Sequence, residues 1–132
     1  MANPATATSG ATTLPLKPVA GPIQIAVIQF GAGSSALGGT DLAVLQDVAR
    51  MYRRSGGVIR VFAHASSDAR VAAGNLDVSE RRGANVVNTL LRLGVPANAI
   101  SMEALSDANP VYTTATAMGI AANRRAEIFL DF

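Results

Sequence analysis

Four runs of strand length, each separated from the next by a stretch long enough for a helix, confine this 132-residue chain to a narrow set of folds. They are Ile23 to Phe30 (IQIAVIQF), Val58 to His64 (VIRVFAH), Ala99 to Ala104 (AISMEA) and Arg125 to Leu130 (RAEIFL). In the first, Ile23, Ile25 and Val27 alternate with Gln24, Ala26 and Ile28, and the β-branched content predicts a largely buried strand. In the second, Ile59, Val61 and Ala63 share one face, with Arg60, Phe62 and His64 on the other. Strands separated by helices need crossover connections, which lay helices against a sheet face and let part of the sheet run parallel. The order β-α-β-α-β-(α)-β therefore predicts an α/β (α+β) domain, a mixed four-stranded sheet with helices packed against it.

The intervening stretches carry helix signals. Thr40 is placed to cap a helix whose apolar positions Leu42, Leu45, Val48, Ala49 and Tyr52 recur every three to four residues, and Ser55-Gly56-Gly57 ends it. Ser79 is read as the N-cap of a longer helix with Val86, Val87, Leu90 and Leu91 as its stripe and Gly94 and Pro96 as its stop. Thr113 to Ala122 is expected to be a short helix or a turn-rich segment. Residues 1–22 are Ala, Thr, Pro, Ser and Gly without an apolar period, the composition of a disordered tether, so the folded domain is taken as 23–132.

Composition narrows the chemistry. Half of the chain is apolar, enough for one core, and the lack of cysteine removes disulfides, thiolate metal sites and cysteine nucleophiles. The formal net charge is only +2, and the arginines are not clustered with aromatics, so nucleic acid is not an expected partner. No apolar run approaches the roughly 18 residues of a membrane span, so the domain itself is expected to make no membrane contact. An export signal or anchor would lie outside this sequence.

Several patterns look chemical and fall short. The Gly-rich stretch 31–39 lacks both the Lys-Ser/Thr ending of a phosphate loop and dinucleotide spacing. His64, Ser66, Ser67 and Asp68 contain triad residue types, but neighbours on one strand end rarely converge on one reacting atom, and no Gly-x-Ser-x-Gly elbow surrounds either serine. His64 is read as a packing or hydrogen-bonding residue. No metal-ligand spacing stands out, and neither enzyme activity nor a cofactor is expected. The arginines differ. With Ser79 as cap, Arg81 and Arg82 occupy a first helical turn, where a cation is unfavourable unless an anion joins it. Arg81 is read as pairing with Glu80, Asp77 or solvent, and Arg82 as one side of a carboxylate site.

These segments resemble, in order and spacing, the OmpA-like peptidoglycan-binding family, which includes the peptidoglycan-associated lipoprotein and the periplasmic part of MotB. Gln29-Phe30-Gly31 with Ser34 or Ser35 matches the end of its first strand, and Val61-Phe62-Ala63-His64-Ala65 its Val-x-Gly-His-Thr strand end. Asn75 to Gly83 (NLDVSERRG) matches Asn-x-x-Leu-Ser-x-x-Arg-Ala, and Asn123 to Ile128 (NRRAEI) matches Asn-Arg-Arg-Val-Glu-Ile. Leu93 to Pro96 and Ser106 to Pro110 fit the family's intervening turns.

The resemblance implies a non-catalytic module that grips the diaminopimelate of the peptidoglycan stem peptide and tethers an envelope protein to the cell wall. It implies the periplasm of a Gram-negative bacterium, with an anchor in the outer or inner membrane. Arg82 would hold the ligand carboxylate, Asn75 would shape the pocket, and Arg124 with Arg125 would lie at its floor or edge. The family's pocket aspartate falls at Ser66, beside Ala65, with Asp68 two positions on as the candidate replacement. Losing a charge-assisted contact costs about 1.5–3 kcal/mol, so affinity is expected to be weakened or altered unless Asp68 serves. The alternative is an OmpA-like scaffold that has lost peptidoglycan and serves envelope protein partners or a homodimer.

Overall fold

The computed structural model describes residues 21–65, 72–106 and 117–132. Within them the chain runs β1 (Ile23–Gln29), α1 (Gly39–Ser55), β2 (Val58–Ala63), α2 (Ala72–Arg92), a 3₁₀ turn (Ala97–Ala99), β3 (Ile100–Ala104), α3 (Ala117–Asn123) and β4 (Arg125–Asp131). The four strands form one mixed sheet in the order β1-β4-β2-β3. β2 and β3 are parallel, joined by the α2 crossover, whereas β4 runs antiparallel to both β1 and β2.

One face of the sheet carries the core. Ile59 and Val61 of β2, Ala126, Ile128 and Leu130 of β4 and Ile28 of β1 meet Leu45, Val48 and Ala49 of α1 and Val86 and Leu90 of α2. The other face holds polar and aromatic side chains. Phe62 and Phe129 meet edge to face with centroids 5.5 Å apart, and Arg60 places Nε and Nη2 each 2.9 Å from Asp131 Oδ2. The alternation expected for β2 is therefore the one that builds the molecule.

β1 departs from expectation. It is an edge strand, and of its side chains only Ile28 is buried; Ile23 and Val27 are 37% and 39% exposed. Its register with β4 is interrupted between Gln24 and Ala26, so a strict two-residue period does not survive along it. An apolar strand at an edge is covered on one face and one side only, which composition does not reveal.

Helix ends differ too. α1 begins two residues earlier than a Thr40 cap would place it, with Gly38 as its cap, and the Asp41 carboxylate accepts from the Gly38 N–H at 2.9 Å, one half of a capping box. At the other end, Gly56 caps the helix by donating to Tyr52 O. α2 closes as expected. Gly94 (φ +95°) donates to Leu91 O and Val95 to Leu90 O, the paired bonds of a Schellman stop, and Pro96 follows.

The start of α2 is the main correction. The helix opens at Ala72, two turns before Ser79, which is therefore not its N-cap. Ser79 Oγ instead donates to Leu76 O at 2.8 Å and accepts from Ser106 N–H at 3.2 Å. Arg81 and Arg82 thus lie in the third turn, beyond the reach of the helix N-terminus. None of the described helices is long and apolar enough to cross a membrane.

Candidate functional site

The inward stripe of α2 changes chemistry along its length. Its N-terminal half presents Asn75, Ser79 and Arg82, spaced four and three residues apart and all buried; its C-terminal half presents Val86 and Leu90. The apolar half packs on the sheet. The polar half meets the end of β2, the loop after β1 and the turn at Ser106.

Arg82 is wholly buried, at 0% exposure. Its Nε donates to Ser34 O (2.8 Å), Nη1 to His64 O (2.9 Å) and Nη2 to Gly31 O (3.0 Å), while the guanidinium lies over the Phe30 ring, 5.1 Å from its centroid. One planar fork thus ties α2 to the β1–α1 loop and to His64 just after β2, a geometry that lysine cannot supply. Arg81 pairs with Asp77 on the exposed face, as its four-residue spacing suggests.

Ala65 is buried at the end of β2 and donates its N–H to Ser106 O at 2.6 Å. Asn75 is buried two turns before Arg82. Arg124, between α3 and β4, accepts from Phe30 N–H through its carbonyl, so it neighbours the aromatic that underlies Arg82. Its Nε is shielded from solvent and has no hydrogen-bond acceptor among the described residues. A buried donor without an acceptor costs about 1–3 kcal/mol. Ser66 and Asp68 lie outside the described residues.

Behind these residues runs a polar network only partly legible in the sequence. His64 Nε2 lies 3.2 Å from Glu127 Oε1, Glu127 Oε2 accepts from Arg125 Nε at 3.0 Å, and Arg125 Nη1 donates to Asn123 Oδ1 at 3.1 Å. Arg125 and Glu127 are two apart on one strand and so share a face, which spacing reveals; their meeting with His64 requires the pairing of β2 with β4. His64 is accordingly a hydrogen-bonding residue of the interior. The carbonyls of Gly31, Ser34 and His64, which hold Arg82, carry no side-chain signal at all.

A family model described as the OmpA family matches residues 29–124. The chain belongs to the OmpA family. Its fold is shared with solved OmpA-like domains. The cell wall anchor of the T6SS from Pseudomonas aeruginosa superimposes with a TM-score of 0.69 at 27% identity, covering 80% of this chain and 78% of that one. The C-terminal domain of Helicobacter pylori MotB gives 0.74 at 20% identity over 82% and 85%. The peptidoglycan-associated lipoprotein from Burkholderia pseudomallei gives 0.72 at 22% over 78% and 88%. In sequence, 57 residues are 41% identical to the "Probable lipoprotein YiaD" of Escherichia coli (strain K12), 43% of this chain and 26% of that protein. The chain therefore corresponds to about a quarter of that relative's length.

Proposed function

We propose that this OmpA-family domain is a non-catalytic module that binds the diaminopimelate of a peptidoglycan stem peptide and so tethers an envelope protein to the cell wall of a Gram-negative periplasm. The observation that carries the reading is the polar half of the α2 stripe. Asn75, Ser79 and Arg82 converge with Ala65 on the end of β2, next to Arg124, whose buried Nε is without an acceptor among the described residues. Family membership supports the same conclusion, as does likeness to a cell wall anchor and a peptidoglycan-associated lipoprotein.

The roles divide by burial. Arg82 faces the ligand carboxylate while its three carbonyl bonds hold the surrounding loops. Arg124 donates to ligand oxygen, Asn75 and Ala65 shape the wall, and Asp68, in place of an aspartate at Ser66, meets the ligand ammonium. No cofactor or metal enters the binding. The domain's 1–22 tether joins it to an anchor in the inner or outer membrane.

Co-sedimentation with purified sacculi tests this. Wild type is expected to pellet and to be released by free meso-diaminopimelate; Arg124→Met and Asp68→Ala are each expected to weaken retention roughly tenfold, the loss of one charge-assisted contact. Wild type that stays in the supernatant would replace this reading with the scaffold for protein partners. Release of soluble fragments from the sacculi would show a hydrolase.

A further inference from the structure

One end of the sheet gathers cations that the candidate site does not use. The register sets β1, β2 and β3 all to begin at the end where β4 finishes: Ile23 pairs with Leu130, Val58 with Asp131 and Ile59 with Ile100. Both long helices run back to that end. α1 stops just before β2, and Arg53 Nη1 donates to Leu93 O at 3.4 Å, which places its last turn beside the end of α2. The candidate site lies at the opposite end, where Arg82 Nη1 meets the His64 carbonyl just after β2.

Three exposed arginines lie at this pole, Arg53 and Arg54 in the last turn of α1 and Arg92 in the last turn of α2. The helix dipoles favour cations there. Yet α1 brings two, and none of the three has a carboxylate partner among the described residues. Asp131, the acidic residue of the pole among those described, is held by Arg60 at 2.9 Å. Phe132 lies against Gly57, just beyond α1, and is 64% exposed, so an aromatic ring stands beside the arginines. The stretch 1–22, which enters the domain at this pole, contains Lys17 and neither Asp nor Glu.

Positive charge without a counter-charge, flanked by an exposed aromatic, suits an anionic lipid surface: phosphates pair with guanidinium groups and a phenyl ring enters the interface. We propose that this pole docks on the anionic phospholipid surface of the membrane, turning the Arg82 site away from the bilayer. The inference rests on the membrane-anchored tether of the reading above but not on its ligand. The sequence argued against membrane contact from the lack of a span, and a surface contact needs none. Each arginine near such a surface strengthens binding about fivefold. That is weak for a free domain, and the tether makes it effective by turning the contact into an intramolecular one.

Flotation with phosphatidylcholine vesicles, with and without phosphatidylglycerol, tests the pole at physiological ionic strength. The chain is expected to float with the anionic vesicles, to stay behind with the neutral ones, and to be released as added salt screens the surface. Arg54→Gln is expected to lower the partition coefficient about fivefold, and Arg53→Gln with Arg54→Gln about twenty-five-fold. Arg81→Gln removes the same charge from the N-terminal half of α2 and is expected to change it less than about twofold. Equal losses in Arg54→Gln and Arg81→Gln would show an effect of net charge and overturn the pole. Failure to float with anionic vesicles overturns it too, and leaves these arginines to an acidic protein partner. Wild type that floats but does not pellet with sacculi supports the pole and overturns the wall site alone.

Discussion

Arg82 shows how one residue can carry a site by holding its walls. Each of its three carbonyl bonds is charge-assisted, and such bonds contribute about 1.5–3 kcal/mol apiece before cooperativity. Arg82→Leu is therefore expected to cost at least about 3 kcal/mol in urea unfolding, and Arg82→Lys to recover less than half of it, because an ammonium cannot meet three carbonyls in one plane. Two glycines give a sharper contrast. A Cβ on Gly57 (φ +91°) would fall 2.4 Å from Asp131 O, so Gly57→Ala combines a strained backbone with an immovable neighbour and should cost about 2 kcal/mol or more. The three atoms nearest to a Cβ on Gly83 all belong to the Met102 side chain, Sδ at 2.6 Å, on an edge strand where that residue is 39% exposed. Gly83→Ala is expected to stay within about 1 kcal/mol of wild type, as the helix gain offsets the rotation of a flexible thioether. Thermal unfolding of the two variants side by side checks the sign.

Among the elements, α2 and the β2–β4 pair decide the site. α2 is apolar where it crosses the sheet and polar where it overhangs the end of β2, so the helix provides stability and ligand contacts from one continuous stripe. The β2–β4 pairing brings His64 to Glu127 and lets Arg125 bridge to Asn123. Removing Glu127 strands a buried guanidinium, and Glu127→Leu should cost on the order of 3 kcal/mol; Glu127→Gln, which keeps an acceptor, should cost less. Unfolding free energies of the two variants measure the difference. The sequence showed β2, β3 and β4 to within one residue of their ends, and the C-terminal body of α2, because their apolar periods are clean. It misplaced the start of α2 because Ser79 has the composition of a cap, and only the hydrogen bond to Ser106 N–H shows where its hydroxyl is used. The helix-start argument for Arg82 fell with it, while its place in the candidate site was reached by motif.

For the molecule as a whole, the expected division between tether and domain has a direct consequence. Deleting residues 1–20 should leave Tm within about 2 °C, since a composition unable to bury surface contributes little to the folded state. A larger fall would show that this segment packs on the domain. Class, strand order along the chain, helix-bearing crossovers and family were all legible in the sequence alone, because apolar periodicity and motif spacing are local properties of a chain. Tertiary structure alone decided that β4 lies between β1 and β2, that β1 is an exposed edge, and that backbone carbonyls from two distant segments surround Arg82. These depend on which elements meet in space, and a carbonyl, identical in every residue, leaves no trace in the order of side chains.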